Sequence, residues 1–176
     1  MTRRIVITGP ESTGKSSLCK QLAEHYNTTW VPEYAREYLK KHGMNYTYND
    51  LLAIARRQLA MEDEITASTK RGLIFIDTDM YVMKVWCEFV FGRCHQWILD
   101  RIAERNYALY LLCNIDLPWI KDDLREYPDI ESRIRLFNIY KDNMINQHVP
   151  WKIINGNNEE RLKTAVDAVN RLLVHY

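Results

Sequence analysis

Apolar positions along this chain follow two alternating patterns. Short runs rich in β-branched and aromatic residues are separated by longer stretches whose apolar residues recur every three to four positions. The short runs, at 4–8, 28–31, 73–77, 108–113 and 151–154, have strand length and polar or turn residues at their ends. Ile5-Val6-Ile7 and Leu73-Ile74-Phe75-Ile76 show no polar alternation, as expected of parallel strands covered on both faces. The first helix is predicted over 15–26, with Leu18, Leu22 and Tyr26 on one face. A short helix over 33–42 is closed by Gly43. A longer one over 49–69 carries Leu52, Leu59 and Ile65. Two more lie between 80 and 105, broken near Gly92, and another spans 130–147 with Ile130, Ile134, Phe137, Tyr140 and Met144 at helical spacing. The last begins at Asn157, where Asn157 and Glu160 have the N-cap and N3 relation of a capping box. Trp86, Phe89, Phe91 and Trp97 fall within the apolar stripes and are assigned mainly to core packing. Residues 118–128 form the one charge-rich connection expected to be mobile. Strands alternating with helices predict an α/β fold, a five-stranded parallel sheet flanked by helices, as a single domain over 1–176.

Composition narrows the partner. The 24 basic and 23 acidic residues leave a net charge of +1, so no electrostatic footprint for nucleic acid or an anionic membrane is present. A small-molecule partner is expected, and homo-oligomerisation stays open. The four cysteines form no Cys-x-x-Cys pair and the five histidines show no metal-ligand spacing. They read as reduced thiols and structural imidazoles. The apolar run after Arg3 and Arg4 stops at Gly9-Pro10, too short for a signal peptide. Residues 108–113 are too few to span a membrane. A cytoplasmic location follows as the expectation.

The chemistry begins at Gly9-Pro10-Glu11-Ser12-Thr13-Gly14-Lys15-Ser16, between the first strand and first helix. Two glycines five apart, then lysine and a hydroxyl residue, have the spacing of a phosphate-binding loop. A backbone wrapping a phosphate needs dihedrals that a Cβ disfavours, hence Gly9 and Gly14. The loop amides and helix N-terminus would cradle the phosphates, Lys15 would reach the β- and γ-phosphates, and Ser16 would ligand Mg²⁺. Glu11, Ser12, Thr13 and Ser17 belong to the same nucleotide-binding set. Asn157, in the loop after the fifth strand, joins it on the side expected to meet adenine.

Acidic and basic residues then gather where strands end. Asp77 closes a buried strand and is expected to hold the metal, with Asp79 two residues on. Either acid can instead cap the helix starting near Met80. After the second strand, Glu33 can orient or deprotonate an attacking hydroxyl, with Tyr34 and Arg36 as substrate contacts. The alternative is a charged first turn of a surface helix. Trp119-Ile120-Lys121-Asp122-Asp123-Leu124-Arg125 has the position of a lid, whose Arg125 can stabilise transferring charge. Arg133 and Arg135 stand in reserve. Glu33, Glu37, Asp77 and Asp79 around Arg36 suit a neutral polyol or a cationic pyridinium nucleoside better than a second phosphate, though Arg56 and Arg57 can reach the same pocket.

These segments together resemble the ribosylnicotinamide kinase domains of the NadR type. The resemblance rests on the phosphate loop, on Glu33-Tyr34-Ala35-Arg36-Glu37, on Phe75-Ile76-Asp77-Thr78-Asp79 and on the lid. It covers nearly the whole chain. It implies a P-loop nucleoside-kinase-like fold, ATP and Mg²⁺ as cofactors, and transfer of the γ-phosphate to the ribose 5′-hydroxyl of nicotinamide riboside. Two departures stand out: Asp123 occupies a lid position where the family pattern has glycine, and aromatics to sandwich the nicotinamide ring do not line up. Pro32 and Ala60 stand near where such rings belong, with Trp30 and Tyr34 as substitutes. Two other functions stay open, a kinase for another nucleoside or a shikimate-like alcohol, and a regulatory ATPase with no metabolite acceptor.

Overall fold

A computed structural model describes residues 2–174. Five parallel strands, β1 (Arg3–Thr8), β2 (Trp30–Val31), β3 (Leu73–Asp77), β4 (Leu109–Cys113) and β5 (Trp151–Ile154), form one sheet in the order β2-β3-β1-β4-β5. Six helices connect them and a seventh follows β5 among the described residues: α1 (Lys15–His25), α2 (Tyr34–His42), α3 (Tyr48–Ser68), α4 (Met80–Phe91), α5 (Gln96–Glu104), α6 (Ile130–Ile145) and, last, α7 (Asn158–Val174). The five-stranded parallel sheet flanked by helices is as the apolar patterning predicts.

Alternation along each strand feeds two separate cores. Ile5 and Ile7 of β1, Leu73 and Phe75 of β3, and Leu109, Leu111 and Cys113 of β4 pack with Leu18 and Leu22 of α1 and with Ala165 and Val169 of α7. Val6, Ile74, Ile76, Tyr110 and Leu112 point the other way, to Val85 of α4 and to Leu136, Tyr140 and Met144 of α6. Burying one such aliphatic or aromatic side chain is worth about 1.5–3 kcal/mol, so this two-sided packing holds the sheet. A third cluster joins Ala35 of α2, Leu51, Ile54 and Leu59 of α3, Met80, Met83 and Cys87 of α4, and Ile98 of α5.

The departures from the expected boundaries have local causes. The second strand shrinks to Trp30–Val31, because Thr28 meets Leu73 O with its hydroxyl at 2.6 Å instead of a ladder bond. The third helix starts at Tyr48, where Thr47 and Asp50 form a reciprocal capping box that the pattern did not single out. The expected box at Asn157 is present: its Oδ1 accepts from the Glu159 and Glu160 amides, and Glu160 accepts from its own N–H at 2.8 Å. Residues 118–128 contain no helix or strand.

The strand order sets the site. β1 lies between β3 and β4, so the chain leaves β3 on one side of β1 and re-enters the sheet on the other. Open α/β sheets bind ligands at the carboxyl edge beside such a reversal. Here Ile7 is in register with Asp77 of β3, and Thr8 with Leu112 of β4.

Candidate active site

The loop from Gly9 to Gly14 turns tightly between β1 and α1. Gly9 has φ +133°, and a Cβ there would lie 2.7 Å from the Cys113 carbonyl oxygen. Glycine alone lets the backbone pass so close to β4. Ser12 and Gly14 also have positive φ, and Gly14 is the N-cap of α1. The Thr13 hydroxyl and the Lys15 ammonium both donate to Pro10 O at 2.7 Å, which draws the loop into a ring. The first amides of α1 have no partner within the helix, and residues 14–17 form part of a cavity wall. Unpaired amides at a helix N-terminus attract an anion, and Lys15 adds a full charge.

A buried arginine braces the loop from behind. Arg161 of α7, 3% exposed, donates to Thr13 O at 2.7 Å, Asn114 O at 2.9 Å and Gly156 O at 2.8 Å, and ion-pairs with Asp116. It ties the phosphate loop to the loops following β4 and β5. Sequence reasoning missed it, since a lone arginine in a helix carries no local signal.

The cavity has a volume of about 330 Å³. At one end stand the loop and Lys15, Ser16 and Ser17; at the other stand Leu39 of α2, Val82, Val85, Trp86 and Phe89 of α4, and Leu136 and Tyr140 of α6. Glu33, Arg36 and Arg125 lie in the wall with them. Glu33 is the N-cap of α2 in extended conformation, yet its side chain caps nothing.

Segment 118–128 crosses the mouth and is tied down at several points. The Glu11 carboxylate accepts from the amides of Glu126 at 2.9 Å and Tyr127 at 2.6 Å. Ser12 Oγ accepts from the Ile120 amide at 3.0 Å and from Arg125 at 3.1 Å. Arg36 ion-pairs with Asp122, which also accepts from the Leu124 amide at 3.0 Å. Arg133 holds the stretch just before the segment through Ile115 O and Leu117 O.

Asp77 is buried, and neither carboxylate oxygen has a hydrogen-bond partner among the described residues. Burial and the nearby Glu33 carboxylate push its pKa up to about 6, against the pull of Lys15 and Arg36. The adjacent Ser16 hydroxyl pulls downward too, although its geometry falls short of a formed hydrogen bond. A desolvated acid with idle oxygens beside a hydroxyl fits a divalent cation that brings its other ligands from phosphate and water. No cluster of three His, Cys, Asp or Glu residues able to hold a metal by themselves occurs among the described residues.

The structure gathers Gly9, Glu11, Ser12, Thr13, Gly14, Lys15, Ser16, Ser17, Glu33, Arg36 and Arg125 on one cavity, with Asp77 behind Ser16. Three predicted site residues stand apart. Asp79 caps α4 through Val82 N–H and accepts from the Tyr110 hydroxyl at 3.0 Å, so both of its oxygens are engaged in the core. Burial pushes its pKa up to about 7. Tyr34 donates its amide to Gln58 and packs its ring near Tyr38, away from the cavity wall. Asn157 is occupied by the α7 cap. Glu37 is exposed, Arg57 pairs with Glu64, and Arg56 lies over the Trp97 ring, so these do not reach the pocket either. Conversely, Trp86 and Phe89, assigned to the core, line the cavity. Val82, Val85, Trp86 and Phe89 share one face of α4, and a 3.6-residue period does not separate a pocket wall from a packed interior.

Known proteins resemble this chain in sequence and in shape. The trifunctional NAD biosynthesis/regulator protein NadR of Salmonella typhimurium is 32% identical over 129 residues, covering 70% of this chain and 31% of the relative. NadR of Escherichia coli is 30% identical over 143 residues, 78% of this chain and 34% of the relative. The chain thus spans about a third of the length of these curated relatives. A crystal structure of NadR in complex with NR superposes with a TM-score of 0.83 at 23% identity, covering 97% of this chain and 49% of that one. Thymidylate kinase from Ehrlichia chaffeensis superposes with a TM-score of 0.66 at 14% identity, covering 95% and 98%. These superpositions establish a shared fold. Residues 4–161 match the family model described as an AAA domain, and the chain belongs to that family.

Proposed function

We propose that this chain is an ATP- and Mg²⁺-dependent kinase that phosphorylates the 5′-hydroxyl of nicotinamide riboside to give nicotinamide mononucleotide. The observation that carries the reading is one cavity holding a phosphate cradle, the uncommitted carboxylate of Glu33 and an apolar compartment. The NadR relatives, and the NadR structures solved with NR and with NAD and AMP-PNP, support this choice of substrate and donor.

The loop amides and Lys15 bind the β- and γ-phosphates. Ser16 and Asp77 would hold Mg²⁺, which when bound offsets negative charge on the phosphates. Glu33 accepts the 5′-hydroxyl proton as the 5′-oxygen forms its bond to the γ-phosphorus. The bond from phosphorus to the β–γ bridging oxygen breaks, and ADP leaves with that electron pair. Arg36 and Arg125 counter charge on the moving phosphoryl group, and segment 118–128 keeps water out. Asp79 acts only indirectly, by fixing the start of α4. A cytoplasmic site of action accompanies this reading; among the described residues no helix is long and apolar enough to cross a membrane.

The test is product formation from ATP across an acceptor panel. Nicotinamide riboside is expected to be turned over at least tenfold more efficiently than cytidine, deoxynucleosides or shikimate. Equal turnover across the panel overturns the substrate, and ATP hydrolysis at full rate without acceptor overturns the kinase. Lys15→Ala is expected to remove most activity while leaving the unfolding transition in place.

A further inference from the structure

We infer that Trp86 and Glu126 select a positively charged aromatic ring, so that the acceptor compartment favours a cationic pyridinium nucleoside over neutral or anionic analogues of the same shape. The inference rests on the kinase reading above and concerns how its acceptor is chosen.

Charge in the cavity is divided by position. Lys15, Arg36 and Arg125 are the cations in its wall, and each is engaged: with Pro10 O, with Asp122, and with Ser12 and Ile120 O. At the apolar end the ionisable wall residue is Glu126, exposed at the rim, which forms no ion pair among the described residues. Burial of part of its carboxyl and the nearby Glu11 carboxylate raise its pKa, while the Tyr46 hydroxyl draws it back. A cation seated beside it would relieve both carboxylates.

A relay fixes the two selecting groups. Trp86 Nε1–H donates to the Tyr46 hydroxyl at 2.9 Å, and that hydroxyl donates to Glu126 Oε2 at 2.8 Å. The Glu126 amide is held by Glu11, so its backbone is anchored to the phosphate loop. The indole N–H is thus already satisfied, and what Trp86 offers a ligand is its π-surface. Both rings already meet a tyrosine in a T-shaped contact, Trp86 with Tyr46 at 4.9 Å and Phe89 with Tyr127 at 5.0 Å. Phe89 also has the Arg135 guanidinium over its ring at 5.1 Å, whereas among the described residues no side-chain cation lies over Trp86. An indole is the best aromatic partner for a cation, and a carboxylate at the same rim adds attraction. Because Glu126 is exposed, each contribution amounts to roughly a 2- to 5-fold preference.

The experiment compares kcat/KM for three ribosides: nicotinamide riboside, its 1,4-dihydro form, which keeps the shape without the ring charge, and nicotinic acid riboside, which adds a carboxylate. Unmodified protein is expected to prefer the pyridinium over the dihydro form by about tenfold. Glu126→Gln should cut that preference by about 3-fold, through a KM for nicotinamide riboside that rises more than that for the dihydro form, and narrow the gap to nicotinic acid riboside. Trp86→Leu should cut it further, with Trp86→Phe recovering part of the loss. If Glu126→Gln lowers all three substrates equally, or leaves the preference where it was, the inference is overturned while the kinase reading stands. If unmodified protein does not phosphorylate nicotinamide riboside at all, both fall.

Discussion

Asp77 sits in the folded chain at an electrostatic cost. Its carboxyl titrates near pH 6, above the ordinary 3.8, so the folded state binds the proton more tightly than the unfolded chain. The sign follows: stability falls as pH rises between those values, and the whole penalty is present above pH 6. Asp77→Asn should therefore raise stability at pH 7.5 without ligands, by about 2–3 kcal/mol for a shift of about two units. The gain should fade below about pH 4, as thermal unfolding across a pH series would show, and an unchanged or lowered Tm at pH 7.5 would contradict it. The same variant should lose metal-dependent activity. A site that spends stability on an unpaired charge is one arranged for a ligand. Glu33→Gln tests a different role: about a 10²-fold or larger fall in kcat, with nucleotide affinity retained, fits loss of a general base.

At the level of elements, α4 and segment 118–128 shape the cavity. One face of α4 supplies Val82, Val85, Trp86 and Phe89 to the cavity, while Met80, Met83 and Cys87 on another pack toward α3 and α5. The segment is latched to the phosphate loop by Glu11 and Ser12 and to α2 by the Arg36–Asp122 pair. That pair is partly solvent-exposed, so its strength is about 1 kcal/mol. Asp122→Asn should loosen the cover several-fold. The readout is the ratio of ADP formed to acceptor phosphorylated, expected to rise as water gains entry; a ratio unchanged from the parent chain would remove Asp122 from this role. The capping boxes at Thr47 and Asn157 show that such ends are readable only when both partners are sought: Asn157–Glu160 was, Thr47–Asp50 was not.

Across the whole molecule, Arg161 joins three loops that are distant in sequence. Its N–H groups meet three main-chain carbonyls and the Asp116 carboxylate, so removing it leaves the carbonyls of Thr13, Asn114 and Gly156 without this donor. Arg161→Met should cost about 1–3 kcal/mol in unfolding experiments and weaken nucleotide binding, because one side chain holds the loop and the flanks together. Much of this protein was determined by its sequence alone. The parallel five-stranded sheet follows from uninterrupted apolar runs, and the phosphate loop from a local backbone that only Gly9 and Gly14 allow. Strand ends deliver Glu33, Arg36 and Asp77 to one edge because parallel strands share a direction. Which groups then line the cavity was decided by tertiary structure. Asp79 turned to Tyr110 and the start of α4, Tyr34 bonded Gln58 and packed beside Tyr38, Asn157 capped α7, and Trp86 and Phe89 opened onto the cavity. Sequence spacing sets a side chain's direction from its own element. Whether solvent, a partner or a ligand lies there depends on elements dozens of residues away, and on which contact saves more free energy when they meet.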